Sequence, residues 1–302
     1  MGKMIVKHNV AIRAAYRMSL NEQRMMLMCI AQIKRNESNS RAFTVSHSDF
    51  CEQFDTSGAY KDMKDAARRL QQRIITINDA IVDEDGTRWE GGCISLLSAQ
   101  YWSEGQGKIQ LRFAPEFMPY LEHLSKNFTK YMLSDVKKMS SAYAIHFYEI
   151  FKCQYEQQKT NAKEPSITME VGEIRMMFDI EKKYKAHKDF KKRVIDHAIE
   201  EINKYSPLLV EYTQIKNGRS IHAYVFTISR KAESFALKPT KNRNAVKEAT
   251  QRIKEAVKTG FCVTLLGKEV LEINGSIVSY KNNTAANLYA ALVEADCHFE
   301  VC

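Results

Sequence analysis

No run of about 18 apolar residues occurs anywhere in the 302 residues, so the sequence offers no segment that would span a membrane. The opening MGKMIVKHNV lacks the apolar core of a secretory signal. The seven cysteines (Cys29, Cys51, Cys93, Cys153, Cys262, Cys297 and Cys302) are odd in number and scattered, with no Cys-x-x-Cys pair. That pattern argues against a disulfide framework or a zinc site and for a reducing cytoplasm. A phosphate-binding G-x-x-x-x-G-K-[ST] loop is missing too, because Gly267-Lys268 is followed by Glu269 and lacks the upstream glycine. The eight histidines never stand two apart, which excludes a local His-x-His metal pair. Asp83-Glu84-Asp85-Gly86 lacks the alternating oxygen ligands and terminal Glu of a calcium loop, and is expected to be an acidic turn facing solvent. The sequence therefore predicts a soluble cytoplasmic protein, not an enzyme, with no cofactor and no metal.

What is present is positive charge: 45 Lys+Arg against 36 Asp+Glu leave +9 at pH 7. An excess of this size suggests a polyanionic partner. The length suits two domains, each with its own core, and a small third piece.

The most informative feature is an internal repeat. Residues 43–69 read FTVSHSDFCEQFDTSGAYKDMKDAARR and residues 167–193 read ITMEVGEIRMMFDIEKKYKAHKDFKKR. At one constant offset they share Thr44/Thr168, Phe54/Phe178, Asp55/Asp179, Tyr60/Tyr184, Lys61/Lys185, Lys64/Lys188, Asp65/Asp189 and Arg69/Arg193. Eight identities over 27 ungapped positions exceed the one or two expected by chance. Each copy predicts a short strand, a short helix, a turn and a basic helix, followed by a strand pair. That order is a winged helix-turn-helix, so the fold class is α+β: two tandem winged-helix domains related by duplication, plus a small C-terminal α/β extension.

Local signals place the elements. Ser19-Leu20-Asn21-Glu22 is a capping box opening an apolar helix to about Ile33. A polar loop at 35–41, a strand at 43–45, a helix ending near Phe54 and a helix from Tyr60 to about Ile74 follow. Strands are expected at 75–82, 94–101 and 108–113, punctuated by Asp85-Gly86, Gly91-Gly92 and Gly105-Gln106-Gly107, with the wing tips of the first unit including Asp83–Gly86. Residues 133–138 read as the link between domains, and an aromatic-rich core helix runs from Ser140 to Gln157. His123, His146 and His197 are expected in the core. The second basic helix is expected over Lys185–Lys204 and stopped by Pro207; a hairpin then turns at Lys216-Asn217-Gly218-Arg219, where Asn-Gly is a strong turn signal. Beyond Lys231 the composition changes: a linker at 238–243, helices at 244–258 and 284–295, and strands at 261–266, 269–273 and 276–280. The resulting domains are 1–134, 135–231 and 232–302, the last without legible function.

On a helical wheel Val194, Ile195, Ala198 and Ile202 share one face with Tyr184, and Phe190 sits at its edge. Lys185, Lys192, Arg193 and Lys188 lie opposite. In the first copy Tyr60, Met63, Ala67, Leu70 and Ile74 cluster, while Lys61, Lys64 and Arg68 point away with Arg69 at the margin. A helix that buries one side and offers cations from the other suits a major groove, where Lys or Arg can bond guanine O6 and N7. Lys216 and Arg219 at the hairpin tip would touch phosphates. Six to ten neutralised phosphates would lower affinity about 10³–10⁵-fold between roughly 50 and 200 mM salt.

Over residues 4–231 the chain resembles the theta-type plasmid replication initiators of the Rep_3 group. The resemblance is carried by Ala14-Ala15-Tyr16-Arg17-Met18-Ser19-Leu20 with Gln23-Arg24-Met25, and by Phe128-Thr129 with Leu133-Ser134. It continues in Ala142-Tyr143-Ala144 with Phe147-Tyr148-Glu149, in Asp189-Phe190-Lys191-Lys192-Arg193, and in Glu201-Ile202-Asn203. It implies a monomer that binds directly repeated origin elements (iterons) on double-stranded DNA, opens the origin, and recruits the host initiator and replicative helicase. It also implies a homodimer that binds an inverted-repeat operator and represses transcription of its own gene, with the dimer contact within 94–113. By position, Lys191, Lys192 and Arg193 match the family's basic recognition cluster, and Lys61 matches a DNA-contacting Lys. Lys stands at 191 and 192 where the family pattern has Arg, replacing a planar fork by a point donor. The competing expectations are a transcriptional repressor without initiator activity, which a gene-deleted minimal replicon would separate, and a nicking or primase enzyme, which a Mg²⁺-dependent nicking assay would separate.

Overall fold

The computed structural model describes residues 3–33, 42–78, 80–82, 85–122, 124–159 and 164–231, and beyond these three strands of the tail. In chain order the first module comprises β1 (Met4–His8), α1 (Asn9–Arg13), α2 (Leu20–Ile30), β2 (Ala42–Ser46), α3 (His47–Phe54) and α4 (Tyr60–Gln71). The strands β3 (Ile74–Ile77), β4 (Ile81–Val82), β5 (Arg88–Trp89), β6 (Gly92–Ser95), β7 (Leu97–Ser103), β8 (Lys108–Phe113) and β9 (Phe128–Met132) complete it. The second module comprises α5 (Ala142–Gln158), β10 (Ser166–Glu170), α6 (Val171–Met177), α7 (His187–Phe190), a π-helical segment Lys191–Asp196, α8 (His197–Tyr205), β11 (Leu208–Asn217) and β12 (Ser220–Arg230).

The sequence repeat is a structural repeat. β2 and β10 occupy the same offset, and each runs straight into its helix, α3 or α6. The three-stranded sheets have the same order, β2-β8-β7 and β10-β12-β11, all antiparallel. Phe54 and Phe178 close the short helices and are buried alike. The next residues, Asp55 and Asp179, both turn left-handed, at φ 49° and 50°. A short polar side chain tolerates that conformation better than most, which explains why Asp recurs there. Two winged helices of α+β type are therefore present.

Three departures separate the copies. First, α4 starts at Tyr60, whereas its counterpart starts only at His187, because Tyr184 is left-handed at φ 48°. Arg175 holds that longer turn, donating to the carbonyls of Lys183 (2.6 Å) and Tyr184 (2.8 Å) while its guanidinium lies 4.6 Å from the Phe190 ring centroid. The expected helix over 185–204 is thus corrected to 187–205, with Lys185 in the turn before it. Second, β3–β6 form an insertion between α4 and the wing, with no counterpart between α8 and β11. The expected first wing at Asp83–Gly86 is corrected: the β7–β8 hairpin is the strand pair that joins β2, and its tip is Glu104–Gly107. Asp83 and Glu84 lie outside the described residues. Third, the first module gains a pairing of β1 with β9, from Met4↔Met132 to His8↔Phe128. Short strands separated by more than a hundred residues carry no local signal of their partnership.

One apolar core runs through both modules. The aromatic helix α5 buries Phe147, Tyr148 and Phe151 among side chains from α1, β9, α8, β10 and β12. The 133–138 segment, expected as a link, has Leu133 and Val136 in this core. Polar struts cross it. Lys7 of β1 pairs with buried Glu149 of α5 at 2.7 Å, and the Tyr131 hydroxyl donates to the same carboxylate. His146 stacks on Tyr16 with centroids 4.4 Å apart, and its Nε2 lies 2.9 Å from the Ile12 carbonyl oxygen. Burial pushes the His146 imidazole down to about 4, so the ring is neutral and Nε2 donates. His197, expected in the core, is instead half exposed, 3.8 Å from Glu201.

The chain divides into compact units 1–230 and 231–302. Within the second, β13 (Val263–Leu265), β14 (Val270–Ile273) and β15 (Ser276–Ser279) form an antiparallel meander close to the expected strands. The predicted loop at 35–41, His123, the linker at 238–243 and the helices at 244–258 and 284–295 fall outside the described residues.

Candidate nucleic-acid interface

In the second module the rod 187–205 buries Phe190, Val194, Ile195, Ala198 and Ile202, as the helical wheel predicts. Its opposite side exposes Lys188, Lys192 and Arg193, none of which forms an ion pair with a described residue. Lys191 is different. The π-helical segment sets it against Asp196, five residues on, with Nζ 2.8 Å from both carboxylate oxygens. The Tyr212 hydroxyl of β11 also donates to Asp196, and the Lys191 ammonium lies 5.4 Å from the Tyr212 ring centroid. The Asp196 hydrogen bond holds the Lys191 ammonium well above its usual range. Lys191 is thus fastened to the wing. Sequence periodicity could not show this, because an i,i+5 pair does not exist on an α-helical wheel.

The rod is also fixed at its rear. Glu201, buried, accepts from the backbone N–H groups of Ser140 (2.9 Å) and Ser141 (3.0 Å) ahead of α5. Asn203 bonds both backbone groups of Val210, at 2.7 and 2.9 Å. The wing tip is a tight turn in which Gly218 takes φ 60°, and both Lys216 and Arg219 are exposed. Lys185 is exposed in the turn before the rod.

The first module is assembled with the opposite polarity. Its first-helix carboxylate, Glu22, is fully buried and receives the Ser19 N–H (2.7 Å), Arg69 Nε (3.0 Å) and Arg73 Nε and Nη2 (3.2 and 3.1 Å). The capping box predicted from the sequence therefore exists, and its Glu doubles as the anchor of α4. Arg69, expected among the DNA-facing cations, is committed to this anchor together with Arg73, which the wheel does not single out. Lys64 is committed as well. It pairs with Glu104 at the β7–β8 tip, and its ammonium lies 4.7 Å from the Trp102 ring centroid. Arg68 sits 5.5 Å from the same ring and 3.7 Å from Asp65. The Lys64 hydrogen bond holds the Glu104 carboxyl below its usual range. Lys61 is exposed at the start of α4 with no pair among the described residues.

Of the eleven cations singled out by sequence, the structure therefore pairs Lys64, Arg69 and Lys191 closely with Glu104, Glu22 and Asp196. It leaves Lys61, Arg68, Lys185, Lys188, Lys192, Arg193, Lys216 and Arg219 at the surface. Among the described residues no His/Cys/Asp/Glu group could hold a metal, and no helix is long and apolar enough to cross a membrane.

Comparison with known proteins agrees with this architecture. Residues 4–152 match the family described as "Initiator Replication protein, WH1", and residues 170–228 match "Initiator Rep protein, WH2". Among solved structures, the Pi initiator protein in complex with iteron DNA superposes with a TM-score of 0.59 at 21% identity, covering 76% of this chain and 98% of that one. A second, the WH1 domain of MSBI1.176, a replication protein isolated from a multiple sclerosis patient, shares 26% identity over 32% of this chain and 74% of its own, with a TM-score of 0.26.

Proposed function

This chain belongs to the family of replication initiator proteins built from two winged-helix domains, and from that premise we propose that it initiates plasmid replication by binding directly repeated origin DNA as a monomer. The observation that carries this reading is the pair of basic helices, each with an apolar back in the shared core and exposed cations at the front. Lys188, Lys192 and Arg193 face the groove in one module, and Lys61 and Arg68 in the other. Lys185, Lys216 and Arg219 meet phosphates. Residues 1–134 carry the first half-site and the dimer contact within 94–113, and residues 135–231 carry the main recognition. Bound monomers open the adjacent duplex and recruit the host initiator and helicase, and a homodimer on an inverted repeat represses the gene. Family membership supports these later steps.

Fluorescence anisotropy on the DNA flanking the encoding gene tests the reading. The repeat is expected to bind about 10³-fold or more tighter than a scrambled duplex. The double variant Lys192→Ala/Arg193→Ala should lose most of that ratio. Equal affinity for both duplexes, or an unchanged ratio in the variant, would overturn it. Deleting the gene from a minimal replicon should abolish replication; survival would reduce the protein to a repressor.

A further inference from the structure

Between the C-terminal end of α4 and the turn that leads into the rod 187–205 lies a cleft of about 400 Å³. It is bounded by the starts of α2 and α5 as well, so it touches both modules. Four cations line it: Arg17, Arg69, Arg73 and Lys183. Two carboxylates oppose them, the buried Glu22 behind and the exposed Asp179 beside Arg17 at 3.6 Å, leaving a local balance of +2.

Glu22 does not cancel the site so much as aim it. Arg69 spends only Nε on Glu22, and Arg73 spends Nε and Nη2. Their remaining guanidinium donors make no hydrogen bond to a described residue, and both arginines line the cleft. Two arginines oriented from behind by a buried anion lose less freedom on meeting a ligand than free side chains would. Lys183 is exposed and its ammonium has no partner among the described residues.

We infer that this cleft is a phosphate-binding site that grips the DNA backbone where it passes from the first reading helix to the second. The inference rests on the reading proposed above, because it takes one duplex to span both modules. Phosphodiester is the chemistry that fits: an anion without hydrogen-bond donors, presented in series, facing guanidinium forks. Position selects the duplex over a free nucleotide, since the cleft connects Arg69 near the end of α4 and Arg73 just past it with Lys183 just ahead of the second basic helix. The contact supplies affinity and register and carries no base preference.

The test uses the full chain with Arg17→Ala/Lys183→Ala, which spares the Glu22 anchor. Affinity for the repeat is measured by anisotropy over a range of salt. The variant should bind roughly 10-fold weaker at about 0.15 M salt, with the slope of log K against log[salt] shallower by about 1.8, or 0.9 per lost phosphate contact. Its ratio of repeat to scrambled binding should stay as in the parent, and Arg17→Lys/Lys183→Arg should restore the slope. An unchanged slope in the alanine variant overturns the inference. Thermal shift with ATP and with inorganic phosphate supplies the other arm. Stabilisation of the parent but not of the variant, with an unchanged DNA slope, would assign the cleft to a free phosphate ligand and sink the DNA assignment. A parent that does not discriminate the repeat refutes the proposed function, while the slope comparison still judges the cleft.

Discussion

Replacing Glu22 by Gln isolates the anchor of α4. The carboxylate is fully buried, caps α2 through the Ser19 N–H, and accepts four further hydrogen bonds from Arg69 and Arg73. Breaking a buried ion pair by removing one partner costs about 3–5 kcal/mol. Here the arginines are 48% and 29% exposed, so water can take over part of their solvation and the figure falls to about 2–3 kcal/mol. A Gln keeps an acceptor for the Ser19 N–H, so the cap survives the change; Ser19→Ala, which removes only the hydroxyl that accepts from the Glu22 N–H, should cost about 1 kcal/mol and sets the scale of a cap loss. For a unit of this size the Glu22→Gln loss corresponds to a melting shift of about 4–12 °C. Urea unfolding followed by circular dichroism reads it directly. A loss under about 0.5 kcal/mol, or one equal to Ser19→Ala, would show that the arginines do not hold α4 in place.

Glu104→Gln should free Lys64 and steepen the salt dependence of DNA binding by about 0.9. In a Trp89→Phe background, emission from Trp102 should then change on substitution, and unchanged emission would show that the Lys64 contact is absent in solution. Asp196→Asn should likewise release Lys191 and raise affinity for scrambled DNA, whereas Lys191→Ala should weaken repeat binding less than Lys192→Ala; anisotropy decides both. His146, neutral and held near 4 by burial, is protonated in the unfolded chain below about 6.5, so the unfolded state binds the extra proton and stability falls as pH drops. Between about pH 7 and pH 5 this single group should remove about 2 kcal/mol, a loss that His146→Gln should lack in parallel denaturation curves.

Much of the fold was readable from spacing. The repeat predicts β2 and β10, both short helices and the basic faces, and the shared left-handed Asp55 and Asp179 show that both copies leave the short helix in the same way. The unreadable parts involve partners distant in sequence or an altered helical period. Nothing local in Met4–His8 signals Phe128–Met132. The β3–β6 insertion hides which hairpin is the wing. At the interface, periodicity tells which way a lysine points but not which carboxylate waits there, so Lys64, Arg69 and Lys191 look free in sequence and are held in the structure. The residues carrying the family resemblance also divide in role: Tyr16, Glu149, Glu201 and Asn203 are struts of the scaffold, and Lys192 and Arg193 lie at its surface.

The unbroken core around α5, crossed by the Lys7–Glu149 pair, gives the molecule the behaviour of a ruler. Heads joined by a loose tether could follow half-sites at several separations, whereas heads bolted to one helix measure a single one. One added base pair would shift the far half-site by about 3.4 Å and rotate it by roughly 35° around the helix axis. The chain would have to open its own interior to follow, so the spacing within each origin repeat should be as strictly required as its bases.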